Sequence, residues 1–139
     1  MPQGPYEVHP VGRVESELVD VASAPMQGDE GAPDAWLVFE PEYRDALDGL
    51  AVGADVLLLT WLDRARRDLL RVHPRGDQSR PRQGVFTTRA PHRPNPVGLH
   101  RVTVLAIDGT RVRVSNLEAV DGTPIVDVKP LLAQQGDQR

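Results

Sequence analysis

Apolar residues recur along the chain at short intervals, and most of those intervals fit strands. Val8, Val11 and Val14 alternate with polar neighbours and predict a first strand. The run 36–39, Trp-Leu-Val-Phe, predicts a second. A short helix is expected over about 41–49. Pro41 suits its first turn, Glu40, Glu42 and Asp45 suit its positive end, Leu47 and Leu50 face inward, and Gly49 ends it. The run 56–62 is nearly all apolar, as in a strand buried on both faces or one passing through a closed barrel. Residues 64–82 read as a long exposed loop and 84–89 as a strand. Pro91, Pro94 and Pro96 make 89–98 a rigid extended loop. Two β-branched runs flank Asp108-Gly109, which predicts a hairpin with a two-residue turn. A last strand over 124–129 follows the turn Asp121-Gly122, and the tail after Leu132 is polar. The sum is a mainly β chain, a small antiparallel β-barrel with one or two short helices.

At 139 residues the chain is one domain's worth, with its core over about 8–132, and large enough to bury that core without staples. It has no cysteine, which excludes disulfides, thiolate metal sites and a cysteine nucleophile. No apolar run is long enough to span a membrane, and the first residues lack a basic start and an apolar stretch. A cytoplasmic protein without a signal peptide is expected.

Charge changes the picture. The net value is −4, yet residues 1–63 hold thirteen acids against two bases, and residues 64–101 hold ten arginines against two acids. A local field governs an anionic ligand more than the total does. The central block reads either as a solvated face or as a seat for phosphates. His9, His73, His92 and His100 show no metal-ligand spacing, so no metal is expected, and no phosphate-binding loop or nucleophile elbow occurs.

Two segments stand out. In Gly84–Gly98 a predicted strand delivers Arg89 and Arg93 to the proline loop, whose free carbonyls could face a ligand, and Gly98 permits close backbone approach. The alternative is a connector with solvated arginines. In Asp121–Pro130, alternation puts Ile125, Asp127 and Lys129 on one face and Val126 and Val128 on a core face. Asp127 and Lys129 are then a surface pair or, if that face lines a pocket, an acid/base pair.

The motif GVFTTRAPHRPNPVGL, followed by DGTPIVDVKP, resembles the TsaA/TrmO-like family, also called VirR-like. The start VGRVES, the triplet Pro25-Met26-Gln27 and the segment PEYRDALDGL fall in family order. The resemblance implies a small antiparallel β-barrel that binds S-adenosylmethionine as a homodimer. It also implies methylation of N6-threonylcarbamoyladenosine next to the tRNA anticodon. Carried over by position, it implies cofactor contacts at Pro25, Met26, Gln27, Asp63, Arg64, Arg89, Leu99, Asp121, Gly122, Thr123 and Pro124. The sequence departs from the family pattern at Asp63, where a histidine is usual, and at Leu131, where a tyrosine commonly stands.

Methyl transfer is an in-line displacement whose main demand is alignment. The acceptor nitrogen is a weak nucleophile, so a base helps. Asp127 is the candidate base, Lys129 the candidate partner of a substrate carboxylate, and Asp63 or Asp121 the counter-charge to the sulfonium. The alternatives are a non-catalytic cofactor- or RNA-binding module and a small-molecule N-methyltransferase on the same barrel.

Overall fold

The computed structural model describes residues 3–19 and 31–132. Six strands form one antiparallel sheet: β1 (Gly12–Glu15), β2 (Ala35–Phe39), β3 (Asp55–Trp61), β6 (Val97–Asp108), β7 (Arg111–Val114) and β8 (Pro124–Pro130). They pair in the order β1-β2-β7-β6-β3-β8, and β8 bonds back to β1, so the strand order is that of a closed barrel. Alternation decides which side chains enter. Val14, Leu37, Leu58, Val104, Val114 and Ile125 point inward and are almost fully buried. Each such side chain contributes roughly 1.5–3 kcal/mol over leaving it exposed.

Closure at β1 needs a glycine. A Cβ on Gly12 would lie 2.4 Å from the carbonyl oxygen of Val38 and 2.9 Å from Cα of Phe39. The first strand is shorter than its valine pattern suggested, and Val8 lies outside it, half exposed.

The expected helix over 41–49 is a 3-10 helix, Pro41–Leu47. Only Leu47 and Leu50 pack against the core, and residues three apart share an edge of a 3-10 turn. The Leu50 N–H donates to the carbonyl of Leu47 at 3.0 Å, and Gly49 leaves the turn at φ 89°.

Residues 64–82 are not one loop. β4 (Arg71–Val72) and β5 (Gln83–Gly84) pair as a separate two-stranded arm. The strand expected over 84–89 stops at Gly84, and Val85–Thr87 form a 3-10 turn. The hydroxyls explain this: Thr87 Oγ1 donates to the Gly84 carbonyl at 2.7 Å and Thr88 Oγ1 to that of Val85 at 3.2 Å. Such local bonds compete with a ladder.

The hairpin β6–β7 turns one residue later than expected. Asp108 pairs with Arg111, so Gly109 and Thr110 form the turn, with Gly109 at φ 61°. In β8 the expected alternation breaks. Thr60 pairs with Ile125 and Leu59 with Asp127, so Val126 is an extra residue. This bulge changes the facing before it: Ile125, expected on the face of Asp127 and Lys129, is fully buried, while Val128 packs on the core and Asp127 and Lys129 point outward as alternation predicts.

Candidate functional site: a groove beside the barrel

The start of β6, the stretch after β3, the arm, the proline loop and the segment before β8 enclose a groove of about 1720 Å³. Eight arginines line it: Arg64, Arg71, Arg75, Arg80, Arg82, Arg89, Arg93 and Arg101. Two carboxylates line it as well, Asp63 and Glu118. Its apolar lining includes Leu62, Leu99, Ala119 and Val120.

The proline loop forms one wall, held by arginines rather than by proline stiffness alone. Arg93 donates to three backbone carbonyls, those of Val85 at 2.9 Å, Thr88 at 3.2 Å and Ala90 at 2.8 Å. Arg67 lies over the Trp61 ring at 5.2 Å and donates to the Pro94 carbonyl at 2.7 Å and to Asn95 Oδ1 at 3.2 Å. Two carbonyls of the proline loop, expected to face a ligand, are therefore occupied from within, those of Ala90 and Pro94, and Arg93 is a staple of the loop. Arg89 is different: it is exposed, lines the groove and has no side-chain partner among the described residues. Arg71 shares that condition.

The predicted contact residues divide. Asp63, Arg64, Arg89, Leu99 and Thr123 line the groove. Arg64 also donates to the Val19 carbonyl at 3.0 Å, which ties the described end of the N-terminal segment to the groove lip. Asp121 lines a smaller, acidic hollow with Glu15, Glu17 and Asp34. Its Oδ1 accepts from the Ser16 N–H at 3.0 Å. Gly122, at φ 85°, donates from its N–H to the Val14 carbonyl, and Pro124 opens β8 against Arg13; neither lines the groove. Pro25, Met26 and Gln27 lie outside the described residues.

Asp127 and Lys129 pair with each other on the outer face, 3.6 Å apart, and are not in the groove lining. Alternation opposite Val128 puts them there. They are two strands from the groove: Asp127 faces Leu59, which faces Leu99, and Lys129 faces Leu57, which faces Arg101. At the usual strand spacing that separation is about 10 Å.

Exposed carboxylates on this side are held by local partners. The Arg66 guanidinium, hydrogen-bonded to Asp68 at 3.0 and 2.8 Å, holds that carboxyl below the usual carboxylate range. The Ser79 hydroxyl and N–H do the same for Asp77.

Sequence reasoning missed a buried polar chain. Thr60 Oγ1 lies 2.7 Å from His100 Nε2, and His100 Nδ1 lies 2.5 Å from Glu118 Oε1. Thr60 is fully buried, His100 nearly so, and the Glu118 side chain is 19% exposed where it meets the groove. A Cβ on Gly98 would stand 2.5 Å from Thr60 Oγ1 and 2.8 Å from His100 Nε2, so this glycine makes room for the chain's own side chains. The available signal was weak: a histidine at an inward position of β6, two places after the glycine that faces a threonine of the apolar run.

Among the described residues no cluster of histidines and acids could hold a metal ion, and no helix is long and apolar enough to cross a membrane. Residues 13–137 match the family model described as the tRNA-methyltransferase O N-terminal domain. A relative from Methanothermobacter thermautotrophicus, a probable S-adenosyl-L-methionine-binding protein, is 46% identical over 123 residues, covering 88% of each chain. An S-adenosyl-L-methionine-binding protein from Archaeoglobus fulgidus is 39% identical, over 86% of this chain and 85% of its own. A crystal structure of TrmO from Pseudomonas aeruginosa, 29% identical, superposes with a TM-score of 0.76 over 98% of this chain. The chain spans 61% of that longer protein. A family model that covers nearly the whole barrel, relatives matched end to end and a shared architecture agree: the chain belongs to the tRNA-methyltransferase O N-terminal domain family.

Proposed function

We propose that this chain binds S-adenosylmethionine in the groove and directs its methyl group to the N6 nitrogen of N6-threonylcarbamoyladenosine in tRNA. The observation that carries the reading is Arg89, whose guanidinium has no side-chain partner among the described residues and lines a groove with apolar walls. The residues present fit such a cofactor. Arg89 suits its carboxylate, and Leu62, Leu99, Ala119 and Val120 offer an apolar seat for its adenine ring. Bound, the cofactor supplies an electrophilic methyl group. Asp63, Arg64 and Thr123 complete the wall, and Asp121, Gly122 and Pro124, which do not line it, belong to the turn that carries Thr123 into the groove. Pro25, Met26 and Gln27 remain cofactor contacts in this reading on the strength of the family alone.

The remaining groove arginines other than Arg93, the loop's staple, hold the acceptor through its phosphates. An acceptor that reaches from Leu99 across Leu59 meets Asp127 and Lys129 on the same outer face. Asp127 takes the proton from the acceptor nitrogen only where the methyl group is presented at this face, about 10 Å from the groove lining, and Lys129 orients the threonyl carboxylate there. Leu105 and Ile107, exposed on β6 beyond the groove lining, favour a homodimer that covers them. A cytoplasmic place follows from a tRNA substrate.

Calorimetry tests the reading. The purified chain is expected to bind S-adenosylmethionine, and Arg89→Ala is expected to weaken it by about 1–3 kcal/mol, the scale of a lost charge-assisted hydrogen bond. Absence of binding at millimolar cofactor overturns it.

A further inference from the structure

Eight arginines in one groove create a problem for a ligand that is itself positive at its reacting centre. A cation brought among them needs an anion close by, held where water does not screen it. Of the two carboxylates that line the groove, Asp63 is exposed, and Asp121 lies in the other hollow. Glu118 is the partly buried one.

Its surroundings are built to hold it. Glu118 Oε1 accepts from His100 Nδ1, which places the ring proton on Nδ1. Nε2 is then free to accept from the hydroxyl of Thr60, a residue without solvent exposure. The ring cannot turn without breaking one bond or the other. Gly98, with no side chain, leaves the space this arrangement occupies. An apolar trio would fill the same volume with no polar groups to satisfy, so packing alone gives no reason for a hydroxyl, an imidazole and a carboxylate in series. The series does have a direction. It begins in the barrel interior and ends on the one half-hidden anion of an arginine-lined groove.

We infer that Glu118 is the groove's receptor for the sulfonium of S-adenosylmethionine, with His100 and Thr60 as positioning residues. The inference rests on the cofactor reading above and adds a residue to it. It makes the groove favour the charged cofactor over its neutral thioether product, a preference that arginines oppose and apolar walls do not supply.

The test is the ratio of dissociation constants for S-adenosylmethionine and S-adenosylhomocysteine, measured by calorimetry on the full chain. Glu118→Gln keeps the shape and removes the charge. It is expected to weaken the sulfonium ligand on the order of 10-fold more than the thioether. His100→Asn, whose amide can still donate to Glu118, is expected to keep most of the selectivity, and His100→Leu to lose it. A merely structural role would weaken both ligands together and leave the ratio fixed. Equal losses, or no loss, in folded Glu118→Gln overturn the inference and leave the cofactor reading standing. If the unaltered chain binds neither ligand, the cofactor reading falls and this one with it. Should Glu118→Gln not fold, the two His100 variants carry the same comparison: an unchanged ratio in His100→Leu overturns the inference.

Discussion

One added carbon at Gly98 reaches two polar atoms at once, Thr60 Oγ1 and His100 Nε2. Neither can step aside, because both are buried and bonded to each other. Gly98→Ala is therefore expected to lower stability by about 1–3 kcal/mol, the usual scale of overpacking. Denaturant unfolding measures it, and an unchanged midpoint would contradict the crowding argument. Residues of this kind were partly legible. Gly98 was read as a point of close backbone approach, but the approaching groups belong to β3 and β6 themselves. Arg89 was legible because it follows a motif, and its freedom was not. Arg93, four positions on, carries the same side chain and spends it on three carbonyls. Composition cannot separate the two, since the difference lies in which backbone atoms the folded loop brings within reach.

Elements were legible where they were long enough to show a period. β2 and β3 fall where the apolar runs put them, and β7 and the middle of β6 where the β-branched runs beside Asp108-Gly109 did. β4 and β5, two residues each, are too short to alternate, and the bulge at Val126 is a geometric event with no letter of its own. That bulge turned Ile125 inward against expectation, while Asp127 and Lys129 keep the face opposite Val128 that alternation gave them. The stretch leading into the arm carries its own electrostatic marker. Asp68 has its carboxyl pKa lowered by Arg66, so the favourable contribution is present above the unfolded value and is lost as pH falls through the folded one. A carbon-detected NMR titration is expected to place the Asp68 midpoint below the usual aspartate range. Arg66→Ala is expected to move it upward, and an unmoved midpoint would remove the pairing as the cause.

For the whole molecule the governing fact is where charge sits. Its net value is −4, yet the groove gathers eight of its fifteen arginines. If that groove seats phosphates, log affinity for tRNA falls linearly with log salt. Arg71→Gln, which removes a guanidinium without a side-chain partner among the described residues, is expected to make the slope shallower by about 0.7 to 0.9, one phosphate's worth. Filter binding across a salt series reads this directly. A slope near zero in the unaltered chain would mean that the arginines serve something other than a polyanion.

The seam between β1 and β8 has a consequence in time. Val11 and Gly12 bond to Ile125, so the ring is joined by residues more than a hundred positions apart. Bringing such distant segments together costs loop entropy before any contact repays it. A chain of this kind reaches its native state late and cooperatively, in milliseconds to seconds rather than microseconds. Until β8 arrives, β1 and β3 each expose an unsatisfied edge to any passing strand. The last strand is thus the latch of the ring, and the interval before it closes is when the protein is most open to aggregation.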